Sequence, residues 1–413
     1  KVLRGLGLGL ITGAADDDPS AIGTYASAGA KFGPAFLWMA PATFPMMFAV
    51  VYLSSKLGQI TGQGLFKIIR NHYPKWILYF SLVGVLIGNT IEAGANMGGM
   101  AAAMNLIIPI PLVWIIIPTA LAILALQIWG SYRLIRNVLR VLSFSLLAYV
   151  GSAILAKPDL ISTLKGTFIP TLHFNRESLS MLVAIIGTTL SAYLYTWQSN
   201  EEVEEKIATG DQGIANKDIT IDETLKMSRL DIFFGMLFSN VVMYFIILST
   251  ASTLFKAGEM NIETAAQAAE ALRPIAGRGA SLLFAAGIVA VGFLAVPIMT
   301  TGAAYDFCQT FGWKASLNFR PKDEKKFYIA ITVFTFIAMG MNFFGFNPMK
   351  ALVWSAIVQG FSTPPLMLLI MLMTNNPRIM GNRTNGRAIN ILGWLTTALT
   401  FAASGCLVLT WFL

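Results

Sequence analysis

Three consecutive carboxylates, Asp16, Asp17 and Asp18, stand in the middle of an apolar stretch, G-L-I-T-G-A-A-D-D-D-P-S-A-I-G-T-Y, with Pro19 directly after them. Carboxylates are hard oxygen donors, and acids held this close repel one another unless a cation lies between them. Residues 3–30 have the length to cross a bilayer. Pro19 removes one amide donor and biases Asp18 away from the α region, so the segment reads as two half-helices joined by an unwound hinge. Irregular backbone at membrane depth persists only where protein buries it or water fills a cavity beside it. Carbonyls freed over 14–17 then point, with the carboxylates, at one place, which is a cation site by composition. The alternative sets the acids in a loop between two shorter apolar segments. An ionisable residue inside a span is a functional site by default.

The elements that must hold such a site follow from composition. Of the 413 residues 55% are hydrophobic and only 12% charged, whereas soluble domains carry about a quarter charged residues. The chain is therefore an all-α, polytopic membrane protein whose partners are the lipid bilayer and what it carries. Its net charge of +8 is spread over many short loops rather than one face, which argues against nucleic acid. Cys308 and Cys406 lie far apart in apolar segments and form neither a disulfide framework nor a metal motif. His72 and His173 both fall in loops, leaving no histidine in the membrane. No cleavable signal peptide is expected at the start, and no bound cofactor is called for.

Hydropathy gives about eleven spans: 3–30 (broken), 35–57, 76–107, 112–129, 138–155, 179–205 (broken), 232–255, 280–311, 327–344, 351–373 and 389–412. Taking alternate loops from the start, 21 of the 29 Lys and Arg fall on one side, from Lys1 and Arg4 through Arg133, Arg136 and Arg140 to Arg378, Arg383 and Arg387. The positive-inside rule then places the N-terminus in the cytoplasm and Leu413 outside, in the plasma membrane. Residues 199–224 read as a polar cytoplasmic insertion holding Glu201, Glu202, Glu204, Glu205, Asp211, Asp218, Asp222 and Glu223, either a solvated loop or an acidic funnel for cations. Lys206 and Lys217 lie in the same stretch. Residues 59–72 read as an amphipathic connector resting on the cytoplasmic surface.

The sixth span, A-I-I-G-T-T-L-S-A-Y-L-Y-T-W-Q-S-N-E-E, has a small, weakly helix-forming middle at Gly187, Thr188, Thr189, Ser191 and Ala192. It opens a second group of five spans. Two interrupted segments in corresponding places of two halves point to an inverted repeat with its site at the midplane. At Asp18-Pro19-Ser20-Ala21, and at L-S-S-K-L-G-Q-I-T-G-Q-G-L from Leu53, the chain resembles the natural resistance-associated macrophage protein (NRAMP) family of divalent metal transporters. The resemblance implies a LeuT-type fold of five plus five inverted helices and one more, with repeats at 1–156 and 157–374 and an additional helix at 375–413. It also implies a transporter rather than an enzyme, and we expect it to work as a monomer.

The departures from that family carry the chemistry. The Asn of its D-P-G-N motif is Ala21 here, its M-P-H falls on Ser191-Ala192-Tyr193, and its later histidine on Gln198. Loss of the thioether leaves an oxygen-only pocket, and softness selects among metals. A roomier oxygen pocket suits magnesium, which keeps much of its water shell, and the pattern is similar to the NRAMP-related magnesium transporters, a branch assigned to Mg²⁺ and Mn²⁺ uptake. The missing histidines argue against proton coupling. Within this frame the expected metal residues are Asp18 and Asp17, the carbonyls of Ala15 and Thr188, and the Ser191 hydroxyl, with Ala21 at the vacated Asn position. Asn89, Glu92 and Asn96 recur at one helix face, which adds Glu92, and Gln359 in the tenth span faces the hydration shell or a neighbouring helix. Asp231 and Asp306 read as structural or vestibule residues, and Pro297 as a kink. A proton-coupled Mn²⁺ or Fe²⁺ symporter is the nearest rival.

Overall fold

The computed structural model describes residues 8–130, 147–209, 221–273 and 277–409. The chain begins as α1 (Leu8–Asp16), breaks, and resumes as α2 (Pro19–Phe32). Pro19 occupies the first helical position, where its missing N–H is no loss, and Asp18 caps the new helix in extended conformation. There follow α3 (Met39–Thr61), the short α4 (Leu65–His72), α5 (Lys75–Asn105), α6 (Val113–Trp129) and α7 (Leu147–Leu155). The second group opens with α8 (Arg176–Thr189) and α9 (Ala192–Thr209) and continues through α10 (Ile221–Thr250), α11 (Ala280–Phe311), α12 (Lys325–Gly340), α13 (Pro348–Thr374) and α14 (Arg387–Leu409).

Seven helices among the described residues are long and apolar enough, each or as a joined segment, to cross a membrane. The remaining expected spans are the broken α1–α2, α3, which is bent by 112° from the segment before it, the 17-residue α6, and α7. Of the fifth span only α7 is described. Lys1, Arg4, Arg133, Arg136, Arg140, Asp211, Lys217 and Asp218 lie outside the described residues. Helix α4 buries Leu65, Phe66, Ile68 and Ile69 and exposes Lys67 and Arg70, as an interfacial helix does. Trp76, Phe80, Val83 and Ile87 on α5, and Ile329, Val333 and Phe336 on α12, face outward. Such apolar stripes suit lipid.

Two packing contacts fix the broken helices. Gly9 and Gly13 are one helical turn apart on α1, and both press on α10. A Cβ at Gly9 would meet the Asp231 and Ile232 backbone, and one at Gly13 would overlap Gly235. Small residues at this spacing let helix backbones approach within a membrane. Asp231 Oδ2 accepts the Gly9 N–H at 2.7 Å, satisfying an amide that the start of α1 leaves unpaired, which is a structural role, one of the two expected for it. Gly187 on α8 meets the Ala356 and Gly360 backbone of α13 in the same way. Gly13→Leu is expected to cost about 3 kcal/mol or more, as overpacking against a rigid backbone does. A thermal-unfolding scan of purified protein in detergent checks it; an unchanged midpoint would show that α1 packs elsewhere.

The acidic stretch is the main correction to the sequence reading. Instead of a loop from residue 199, α9 continues to Thr209 and buries Glu201, Glu202 and Glu204. Glu202 Oε1 accepts from Ser55 (2.6 Å), Gln198 (3.0 Å) and Ser228 (3.1 Å). Glu204 accepts from Tyr305 (2.8 Å), Ser316 (2.9 Å) and Asn318 (2.6 Å). These carboxylates are acceptors for neighbouring helices and not a solvated funnel. Lys206 also belongs to α9, where its Nζ reaches the Gln59 carbonyl. Asp222 is exposed and pairs with Arg383 at 3.0 Å.

Candidate metal site between two broken helices

Helix α9 starts without a proline, and hydroxyl groups explain how the chain breaks there. Ser191 Oγ donates to the carbonyls of Gly187 (2.8 Å) and Thr188 (2.9 Å), and Tyr195 OH donates to Leu190 O. Carbonyls that an unwound turn would orphan are thereby satisfied from the side. The two breaks are also tied crosswise. Tyr193 of α9 donates to Ala15 O at the end of α1 (2.7 Å), while Tyr25 of α2 meets Thr189 at the end of α8 (3.0 Å).

All three acids of the first break are fully buried. Asp18 Oδ1 accepts the Ala21 N–H at 2.7 Å, and Oδ2 accepts from Asn96 Nδ2 at 2.9 Å. Asn96 Oδ1 in turn accepts the Ser20 N–H at 2.8 Å. Asp16 Oδ2 accepts from Ser239 at 2.7 Å, and its Oδ1 has no partner. Asp17 has a hydrogen-bond partner on neither oxygen. Buried carboxylate oxygens without a donor are costly unless something positive fills the gap.

The expected face of α5 is realised. Asn89, Glu92 and Asn96 are all buried, with Glu92 in electrostatic reach of Asp18 and Asp16. Gln359 of α13 spans this face, donating to Glu92 Oε2 (2.7 Å) and Asn89 Oδ1 (3.1 Å), while its own Oε1 takes the Ser362 hydroxyl (2.9 Å). Glu92 Oε1 and Thr188 Oγ1 remain unpartnered. The structure therefore links Gln359 to Glu92 and Asn96 to Asp18 along one face of α5, with Asp17 next to Asp18 in the chain, but among the described residues no three acidic, histidine or cysteine side chains converge closely enough to hold a metal ion. It commits the Ser191 donor and the Ala15 and Thr188 carbonyls to internal bonds, each carbonyl keeping a free lone pair. Ala21 contributes its amide as the cap on Asp18 and offers no side-chain ligand.

Sequence reasoning missed four participants. Tyr193 and Tyr25 brace the breaks, and Ser239 holds Asp16. Met299 of α11 accepts from Asn96 Nδ2 at 3.5 Å, which corrects the sulfur-free expectation: a thioether lies one residue removed from Asp18, with the Asn96 amide between. None of the four had a local sequence signal, because each acts across more than a hundred residues of chain.

Two broken helices crossing at buried acids within a bundle of spans define an inverted-repeat membrane transporter fold. The chain superposes on the Eremococcus coleocola manganese transporter, solved with an aromatic bis-isothiourea substituted compound, with a TM-score of 0.75 at 18% identity, over 98% of this chain and 85% of that one. It also superposes on Mhp1, a nucleobase-cation-symport-1 family transporter in a closed conformation, at 0.64 and 14% identity, over 98% and 93%. At the sequence level, residues 9–410 match the natural resistance-associated macrophage protein-like family model, and the chain belongs to that family. It is 27% identical to the divalent metal cation transporter MntH of Bacillus subtilis over 98% of this chain and 92% of the relative. The MntH of Klebsiella pneumoniae is 26% identical, over 95% and 90%.

Proposed function

We propose that this protein carries divalent cations across the plasma membrane, Mg²⁺ chiefly and Mn²⁺ as well, by alternating access of the two broken helices around a partly hydrated ion. The observation that carries the reading is the set of buried, donor-free oxygens at the crossing: both of Asp17, one each of Asp16 and Glu92, and Thr188 Oγ1. An all-oxygen set in which several groups are already hydrogen-bonded leaves room for retained water, which Mg²⁺ keeps and softer ions shed. The relatives' names as divalent metal cation transporters support the class of cargo, and transport rather than catalysis is the activity.

No proton is moved with the metal in this reading. Both histidines lie outside the spans, His72 closing α4 and His173 ahead of α8. Tyr193 and Gln198 stand where the family pattern has histidine, and both are tied into hydrogen bonds, Tyr193 donating to Ala15 O and Gln198 accepting from Thr12 at 2.6 Å. A divalent ion moving inward through 100 mV gains about 4.6 kcal/mol, enough to drive uptake without coupling. The N-terminus faces the cytoplasm, the repeats comprise 1–156 and 157–374 with 375–413 added, and one copy suffices.

One observation favours a second reading. Met299 brings a thioether next to Asn96, and soft donors favour Mn²⁺ over Mg²⁺. Proteoliposomes loaded with a Mg²⁺-sensitive dye and a pH dye decide between them. Mg²⁺ entry without internal acidification is the expected result. Entry of Mn²⁺ with protons, while Mg²⁺ neither enters nor competes, would establish the symporter.

A further inference from the structure

Asp306 on α11 is fully buried, lies outside the site just described, and has no hydrogen-bond partner on either carboxylate oxygen. Its polar neighbour is Thr196 of α9, whose hydroxyl donates to the Tyr193 carbonyl at 3.2 Å. The Thr196 hydroxyl lies within electrostatic reach of the carboxylate but donates to the Tyr193 carbonyl, so neither Asp306 oxygen has a donor in hydrogen-bond geometry. A buried polar group left in this state calls for a ligand.

Its surroundings form a seam. Thr196, Asn200 and Glu204 recur at four-residue spacing on α9 and face Gly302, Tyr305, Asp306 and Gln309 on α11. Gln309 Nε2 donates to Asn200 Oδ1 at 2.6 Å, and Tyr305 OH to Glu204 at 2.8 Å. Beside Thr196, α11 presents Gly302, where an added Cβ would meet nothing nearer than Thr196 Oγ1 at 3.8 Å. Farther along, Gln309 borders a cavity of about 640 Å³ whose charged lining is Lys67, Arg70, Lys206, Lys314 and Glu324. Thr196 lies five residues past Ser191, or about 7.5 Å along α9 at helical rise. Farther along the seam Gln309–Asn200 and Tyr305–Glu204 are joined by hydrogen bonds, leaving Asn200 Nδ2 without a partner, whereas at Asp306 both oxygens lack one.

We propose that Asp306 and Thr196 form a second cation station on the seam between α9 and α11, where the divalent ion pauses after leaving the central site. The inference rests on the reading that the ion is held between the broken helices. A single carboxylate and a hydroxyl suit a hydrated Mg²⁺ held briefly, since one carboxylate plus waters is a common Mg²⁺ environment. Weak holding there speeds departure from the deeper acids, which is what multi-site permeation requires.

The test compares Asp306→Asn, Asp306→Glu and Thr196→Val with the wild-type protein in the dye-loaded proteoliposomes, and titrates Mn²⁺ onto each purified protein by electron paramagnetic resonance. Asp306→Asn is expected to slow maximal Mg²⁺ uptake about tenfold while Mn²⁺ affinity at the central site stays within about twofold, a split between turnover and binding. Asp306→Glu should restore much of the rate. Should Asp306→Asn fail to fold, Thr196→Val carries the test, with uptake expected to fall about threefold as one ligand oxygen is lost. An unchanged rate overturns the proposal, as does a parallel loss of central affinity or a Glu variant no faster than Asn. So does a wild-type proton flux that vanishes in Asp306→Asn, because that marks Asp306 as a proton carrier. Asp18→Asn run alongside reports on the central site separately: normal transport there removes Asp18 as the ion's ligand without touching the Asp306 result.

Discussion

Replacing Asp18 by Ala or Asn is expected to reduce Mg²⁺ uptake at least about 100-fold while leaving the protein folded, a loss equal to about 2.7 kcal/mol. The two variants divide the roles of one side chain. Asp18 is both the cap of α2, through Ala21 N–H, and the acceptor of Asn96 Nδ2. Losing a cap costs about 1 kcal/mol of stability, which a polytopic bundle withstands. Asn keeps an oxygen for the Ala21 amide but loses the charge and turns a donor toward Asn96 Nδ2 in place of the acceptor Oδ2. If Asp18→Asn is as inactive as Asp18→Ala and both elute as monodisperse protein, the charge is what the ion requires. Normal uptake by Asp18→Asn would reduce Asp18 to a cap and leave the cation to Asp17, whose two oxygens are unpartnered.

The second large effect concerns selectivity. Installing Asn at Ala21 and Met at Ser191 together is expected to raise preference for Mn²⁺ and Cd²⁺ over Mg²⁺ by about tenfold, because a thioether adds a soft donor and the amide displaces water. Ser191→Met also removes hydroxyl bonds to the Gly187 and Thr188 carbonyls. The one hydroxyl proton is shared between them, so the loss is about 1 kcal/mol in all, and the freed Thr188 carbonyl becomes a stronger ligand. Competition of Mn²⁺ and Cd²⁺ against Mg²⁺ uptake measures the shift. An unaltered ranking would mean that ligand softness does not set preference here, and would turn attention to Met299 beside Asn96.

Much of the architecture was legible in the sequence because its causes are local. Asp18-Pro19 breaks the first span through a missing amide and a restricted neighbour, and the structure breaks there, between Asp16 and Pro19. The sixth span breaks at Leu190 and Ser191, within the run of small residues, though by a means the residue types did not reveal: hydroxyl groups satisfy the freed carbonyls. The Asn89, Glu92, Asn96 face followed from helical periodicity, and all three are buried against the first break and α13. The charged stretch from residue 199 misled because charge density along a sequence reads as solvation. Ser55, Gln198, Tyr305, Ser316 and Asn318 supply the donors that offset the desolvation of Glu202 and Glu204.

The sequence by itself determined that the chain is a membrane bundle and that acids interrupt the first of its spans. These follow from side-chain solvation and backbone stereochemistry, which act residue by residue. Only the tertiary structure decided which oxygens are taken and which are left: Asp18 capped and bonded to Asn96, Asp16 half-held by Ser239, Asp17 and Asp306 without a donor. Hydrogen-bond supply inside a bilayer comes from whichever helix lies alongside, since no water is there to make up the difference.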